Sequence, residues 1–332
     1  LYLLWHGALP TRAELDSFAD ALAAERAVDE NVLATVRRLA DADEKPMAAL
    51  RTAVSMLSAY DDTAAEADDG DVLAEGARIT AKIPTILAAF DRTRRGESPL
   101  EPDPSHSHAG DFLRMLTGTA PDDVSEETFD MALTLHADHG LNASTFTALV
   151  IGSTMADVYA AVTGGIGALS GSLHGGANQD VMEMLYEVDE SGKDPTEWVR
   201  AATDEGRRIP GFGHRVYEVK DPRARILAEK LDDLAAVSGD ERWLEYTAAI
   251  ESYLTDEGLT DQGIAPNVDF YSGSVYETMG IPIDLYTPIF AMSRVGGWVA
   301  HVNEYRADNR LIRPRARYTG PESAEFVPVD ER

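Results

Sequence analysis

Three glycine-bearing segments hold the side chains best suited to moving a proton. They are Gly171-Ser172-Leu173-His174-Gly175-Gly176-Ala177-Asn178, Pro210-Gly211-Phe212-Gly213-His214-Arg215-Val216-Tyr217 and Pro266-Asn267-Val268-Asp269-Phe270-Tyr271-Ser272-Gly273. Glycine beside an ionisable group lets the backbone come close to a ligand. Two histidines and an aspartate can take a proton next to a carbonyl and deliver one elsewhere, because both residue types can be tuned toward neutral pH. Each alone also has a plain structural explanation. A buried, satisfied histidine beside glycine is common, and Asp269 could simply cap a helix beginning at Phe270.

Other chemistries find less support. Gly165-Ile166-Gly167-Ala168-Leu169-Ser170 begins like a dinucleotide fingerprint but lacks the third glycine and follows no strand. No phosphate loop ending in Gly-Lys-Ser/Thr and no His-Glu-x-x-His occurs. His136 and His139 have a spacing compatible with a metal pair, yet no carboxylate is placed beside them to complete a site. They read as core or hydrogen-bonded histidines, and no metal is expected.

The elements that must position these groups are helical. Apolar residues recur at helical spacing in Val32, Val36, Leu39; in Met47, Leu50, Val54, Leu57; and in Ile83, Leu87, Phe90, while alternating strand segments are absent. Asp194-Pro195-Thr196-Glu197 reads as a capping box with proline in the first helical position. Asp221-Pro222 repeats the device ahead of Ile226, Leu227, Leu231 and Leu234, Gly239 ends that helix, and Thr287-Pro288 opens a third stretch running toward His301. The fold class is mainly α. Gly96 to Pro104 reads as a surface linker, and Gly164 to Gly176 and Gly206 to Gly213 as loops. Asn142 to Leu173 carries Asp157 as its only charge; its Thr, Ser and Gly content and lack of basic flanks point to a buried helix and not a membrane span.

At 332 residues the chain exceeds the size at which one core usually stops growing, so two lobes with a cleft between them are expected. The opening Leu-Tyr-Leu-Leu-Trp is too short to span a membrane and lacks Met, as expected of a chain missing its true start. There is no cysteine, which excludes disulfides and thiolate metal sites and agrees with a cytoplasmic location. The net charge is −29, from 58 acidic against 29 basic residues, and lysine stands only at 45, 82, 193, 220 and 230. Self-repulsion of that size destabilises a compact state unless salt screens it, so a saline cytoplasm is expected. A nucleic-acid partner is disfavoured, because its backbone would meet a surface of its own sign.

Taken together and in order, the three segments resemble those of citrate synthases, whose members carry a Gly-x-Leu-His-Gly-x-Ala-Asn loop, a Pro-Gly-aromatic-Gly-His loop and an Asn-Val-Asp segment. His136-Ala137-Asp138-His139, Asp221-Pro222-Arg223, Ser293-Arg294 and Arg310-Leu311-Ile312-Arg313-Pro314-Arg315 extend the resemblance over nearly the whole chain. Ser172 departs from the family's usual proline without altering a reacting group.

The resemblance implies an acyltransferase that condenses acetyl-CoA with oxaloacetate and water to give citrate and CoA. Asp269 would take a methyl proton from acetyl-CoA while His174 hydrogen-bonds the thioester oxygen. His214 would polarise the oxaloacetate ketone and protonate the alkoxide. Arg223, Arg294 and Arg313 match the family's carboxylate-binding arginines and His139 its additional substrate-binding histidine. The backbone of Ile209, Gly211 and Gly213 would receive the adenine of CoA, and Lys220 and Arg215 its phosphates. No permanently bound cofactor is implied, CoA being substrate and product, and a homodimer in which Arg313 acts in trans is. The implied lobes are a large helical domain of residues 1–175 plus 281–332 and a small one of 176–280. Two rivals share the motifs: a 2-methylcitrate synthase acting on propionyl-CoA, and a non-catalytic carboxylate-binding relative, against which the intact His174, His214 and Asp269 argue. A metal-dependent hydrolase is a distant third.

Overall fold

Side-chain caps set where the helices start. In the computed structural model, which describes residues 1–61, 71–213 and 219–332, Asp194 accepts hydrogen bonds from the backbone N–H of Thr196 and Glu197, and Asp221 from that of Arg223. Each is followed by proline in the first turn, where a missing N–H costs nothing. Gly239 closes its helix in the left-handed conformation, at φ 72°.

Fifteen α-helices stand among the described residues. The first nine are α1 (Tyr2–His6), α2 (Arg12–Ala24), α3 (Glu30–Asp41), α4 (Pro46–Leu57), α5 (Val72–Arg94), α6 (His108–Thr117), α7 (Asp123–His136), α8 (Ala143–Gly152) and α9 (Val158–Leu169). They are followed by α10 (Ala177–Ser191), α11 (Pro195–Asp204), α12 (Pro222–Ser238), α13 (Arg242–Asp256), α14 (Val268–Thr278) and α15 (Tyr286–Arg306). Among the described residues the only β-type pairing is an isolated antiparallel bridge, Phe212 to Pro266. The fold is mainly α.

α15 is buried almost all round, as expected of a helix at the centre of a large helical body. It packs against α5, α7, α8 and α9, while α10 to α14 pack chiefly on one another and meet the rest through α12 on α7 and α10 on α15. No described helix is long and apolar enough to cross a membrane.

Three expectations about local structure are corrected. The stretch Asn142 to Leu173 is two helices, α8 and α9, packed on each other. The break falls at Met155, whose φ is +65°, and at Asp157, the lone charge, which caps α9 by accepting from Ala160 N–H at 2.7 Å. The glycines from 164 to 167 lie inside α9 and not in a loop, which begins only at Ser170. They make room for neighbours: a Cβ on Gly165 would come within 2.9 Å of the Trp298 ring, and one on Gly164 within 2.2 Å of Ile151. The last helix starts at Tyr286, just ahead of Thr287-Pro288, because a 3-10 turn at Ile283–Leu285 leads directly into it.

Candidate active site

Asp269 owes its availability to its neighbour Asn267. The helix α14 begins at Val268 with Asn267 as its cap, so capping falls to Asn267 and not to Asp269. The Asn267 side chain accepts from Asp269 N–H at 2.9 Å and donates from Nδ2 to the Gly213 carbonyl at 3.0 Å. The same crossing is tied by Gly213 N–H to Ala265 O at 2.9 Å and Asn267 N–H to Gly211 O at 2.8 Å. Gly211 is required there, since its φ is +79° and a Cβ would meet the Phe270 backbone at 2.9 Å. The 206–213 loop is thereby stitched to the first turn of α14. Burial is the largest influence on the Asp269 carboxyl, pushing it up to about 6; Asp221 and Asp180 add to the rise, and Arg223 and Arg294 oppose it.

His174 lies on the turn between α9 and α10. Gly175 keeps that turn tight, because a Cβ would press to 2.2 Å from the Leu169 carbonyl. The imidazole Nε2 accepts the backbone N–H of Ser144 at 3.1 Å and lies 2.8 Å from the Ser144 hydroxyl. Ser144 is the second residue of α8, so its N–H is one of those a helix leaves without an internal partner. A backbone N–H can only donate, hence Nε2 is unprotonated and a neutral His174 carries its proton on Nδ1. Burial and then the Arg294 charge lower the His174 pKa below its ordinary value, and the positive end of α8 acts in the same sense. His174 is thus a neutral donor.

Both groups line one cleft of about 840 Å³, together with His139, Arg223 and Arg294. Arg294 is 1% exposed, donates Nε–H to the His136 carbonyl at 2.7 Å and sits 4.7 Å above the Phe290 ring. It forms no ion pair among the described residues, and burial lowers its pKa to about 10. Arg223 is held by Asp221 through Nε at 3.1 Å and Nη2 at 2.7 Å, so the carboxylate that caps α12 also aims this guanidinium. His139 follows Asp138, whose carboxylate is bound by His301 Nε2 at 2.9 Å and by Gly140 N–H at 3.2 Å. His136, by contrast, is a core residue with Nδ1 on the Ala132 carbonyl at 2.7 Å and a pKa lowered by burial to about 3. Among the described residues no group of three or more His, Asp or Glu is placed to hold a metal ion.

The other expected site residues stand elsewhere. Gly213 lines the cleft; Gly211 and Ile209 do not, and Ile209 is buried. Lys220 is engaged by both carboxylate oxygens of Glu251, at 2.7 and 2.8 Å, and lies 5.0 Å over the Tyr271 ring. Arg313 is exposed on the segment after α15 and, among the described residues, donates only to the carbonyl of the adjacent Pro314, at 3.2 Å. His214 and Arg215 lie outside the described residues. Ser144 escaped sequence reasoning, and Asp221 and Asn267 were read there as a helix start and a motif position, without their part in aiming Arg223 and in tying Gly213. Asn142-Ala143-Ser144-Thr145 did carry a signal for Ser144, a side-chain cap whose next N–H groups need acceptors.

The citrate synthase C-terminal domain family matches residues 1–315. A citrate synthase of Haloferax volcanii is 62% identical over all of this chain and 87% of its own length. 2-Methylcitrate synthase 2 of Corynebacterium glutamicum is 38% identical over all of this chain and 86% of its own. The crystal structure of citrate synthase from Pyrobaculum aerophilum superposes with a TM-score of 0.92 at 39% identity, covering all of this chain and 84% of that one. Fold, cleft and sequence therefore converge, and this chain belongs to the citrate synthase family.

Proposed function

We propose that this enzyme condenses acetyl-CoA with oxaloacetate and water to give citrate and CoA, in the cleft that Asp269 and His174 share. The observation that carries this reading is that pairing: a carboxyl raised toward neutrality and a neutral imidazole with its proton on Nδ1. A thioester methyl is a weak acid, so a base alone does not suffice. The developing oxygen charge needs a donor at the same moment.

Ionised Asp269 takes the methyl proton while His174 Nδ1–H hydrogen-bonds the thioester oxygen. The enolised carbon then attacks the ketone of oxaloacetate, and His214 polarises that ketone and gives its proton to the alkoxide. Arg294, Arg223 and His139 hold the carboxylates, for which guanidinium forks are suited. Water cleaves the citryl thioester and releases CoA. The adenine we assign to the backbone from Ile209 to Gly213, which reaches the cleft at Gly213. Residues 1–175 with 281–332 would form one lobe and 176–280 the other, their closure excluding water. We further assign the enzyme to a saline cytoplasm, on its charge of −29, and to a homodimer completed by Arg313 in trans.

A thiol-release assay with oxaloacetate tests the substrate. Acetyl-CoA should be preferred over propionyl-CoA by about tenfold or more, within the range of about 1–3 kcal/mol that one methylene supplies. A preference for propionyl-CoA would make this a 2-methylcitrate synthase.

A further inference from the structure

We propose that Ser153 and Asn309 form a clasp that positions Arg313 for the substrate carboxylate it binds. The inference rests on the role given to Arg313 above, and both residues act through the tail, away from the reacting atoms.

Ser153 closes α8, so its carbonyl is one of those a helix leaves without an internal partner. The Asn309 side chain supplies one, donating from Nδ2 at 3.1 Å. The Ser153 hydroxyl gives its only proton to the Val150 carbonyl at 2.7 Å, which leaves its lone pairs for an incoming N–H. Ile312 N–H takes one of them at 3.1 Å.

The anchor is itself held from two sides. Arg306 of α15 donates from Nε to the Gly152 carbonyl at 3.3 Å and from Nη2 to the Ala156 carbonyl, so one guanidinium spans the turn on either side of Ser153. Where the chain resumes as α9, Glu75 of α5 accepts Val158 N–H at 3.3 Å. Ile312 also packs against the core, and beyond it every residue is exposed. Among the described residues, none past Ile312 hydrogen-bonds to the body of the chain.

Arg313 is therefore the first residue past the last attachment, its Cα about 3.8 Å from that of Ile312. Pro314 follows it and favours the extended region of backbone space for Arg313. A short reach and a restricted backbone leave this guanidinium a narrow range of positions, which the clasp sets. Fraying at Ser153 would spread the same cation over a larger volume and lower its effective concentration at the carboxylate.

The test removes the two bonds separately and together in the full chain as it assembles. The KM for oxaloacetate should rise about threefold in Asn309→Ala and about fivefold in Ser153→Ala/Asn309→Ala, as for a lost hydrogen bond. Turnover and the KM for acetyl-CoA should stay within about twofold of wild type, a split that general damage to the fold would not produce. In an Arg313→Ala background the same changes should cost nothing further, because they act through that side chain. A KM for oxaloacetate unchanged in Asn309→Ala while Arg313→Ala raises it, or losses that simply add to that of Arg313→Ala, overturns the clasp alone. Should Ser153→Ala not fold, Asn309→Ala decides by the same two comparisons, since its side chain is exposed. A wild-type KM in Arg313→Ala would remove the role of Arg313, and the clasp with it.

Discussion

Arginines of the cleft and of the C-terminal tail are the same side chain in opposite surroundings. Arg294 is 1% exposed and rests on the His136 carbonyl; the side chain of Arg223 is 11% exposed and is gripped by Asp221. Arg313 stands in solvent beyond α15, on a tail tied down by Asn309 to Ser153 O and by Ile312 N–H to Ser153 Oγ, each at 3.1 Å. Further along, Tyr318 and Phe326 are 75% and 80% exposed, apolar surface that a contact outside this chain could cover. The difference teaches that Asp269, His174 and two of the expected arginines meet in one cleft of a single chain, while Arg313, the third, stands on a segment away from that cleft, as the proposed action in trans requires.

The sharpest way to test that division is to remove the base. Asp269→Asn keeps the shape and loses the proton acceptor, so exchange of the acetyl-CoA methyl protons should fall by about 10² or more. In wild type that exchange should fall as pH drops through about 6, where Asp269 takes up its proton. Arg313→Ala should leave the exchange within a few-fold of wild type while lowering citrate formation. A variant at Asp269 that still enolises acetyl-CoA at the wild-type rate would show the base to be elsewhere.

The comparison breaks if Arg313 serves its own chain, which a mixture of two dead variants decides. In the homodimer proposed above, Asp269→Asn and Arg313→Ala chains unfolded together and refolded would pair at random, making about half the dimers mixed. In a mixed dimer one site receives an intact Asp269 and the partner's intact Arg313, and activity should return to about a quarter of wild type. With Arg313 acting in cis, every site keeps one defect and no activity returns.

How much of this was legible in the sequence follows the same boundary between local and distant. Asp194, Asp221 and Gly239 announced helix ends because a cap or a left-handed residue is a local device. The glycines beside His174 marked a tight turn for the same reason. The join between α8 and α9 was hidden, because a stretch with a single charge has no polar face from which to read a period. Gly165 reads as loop in the sequence, since the Trp298 ring it makes room for lies far along the chain and enters only with packing. Ser144 was invisible as part of the site for that reason: its partner His174 is 30 positions distant.

Salt should act on the two regions unequally. The excess of 58 acidic over 29 basic side chains is a property of the whole chain, so thermal midpoints should climb from low to multimolar KCl as screening increases. The buried pair of Arg223 and Asp221, with side chains 11% and 0% exposed, should be screened least, and Arg223→Lys should cost about the same stability at either salt extreme. A midpoint that does not move with KCl would remove the saline reading.

The smallest effect expected is a gain in stability on removing the base, and its sign depends on pH. The carboxyl of Asp269 has a pKa of about 6 in the folded chain, whereas an unfolded aspartate ionises near 3.9. Between those values the folded state holds the proton more tightly, so this group's stabilising contribution is fully present below about 4 and is lost as pH rises through about 6. Asparagine is neutral throughout and never has a buried charge to accommodate. Asp269→Asn should therefore match wild type near pH 4 and exceed it at pH 7.5, by about 1–2 kcal/mol after allowance for the cleft's contact with solvent. Unfolding midpoints at the two pH values, in constant high salt, read the difference directly. Arg313→Ala, changed where the side chain is exposed and hydrogen-bonded to the adjacent Pro314 carbonyl, should shift neither midpoint when measured on the monomer. Equal gains for Asp269→Asn at both pH values would mean that the substitution improves packing and that the carboxylate is not the strained group of the cleft.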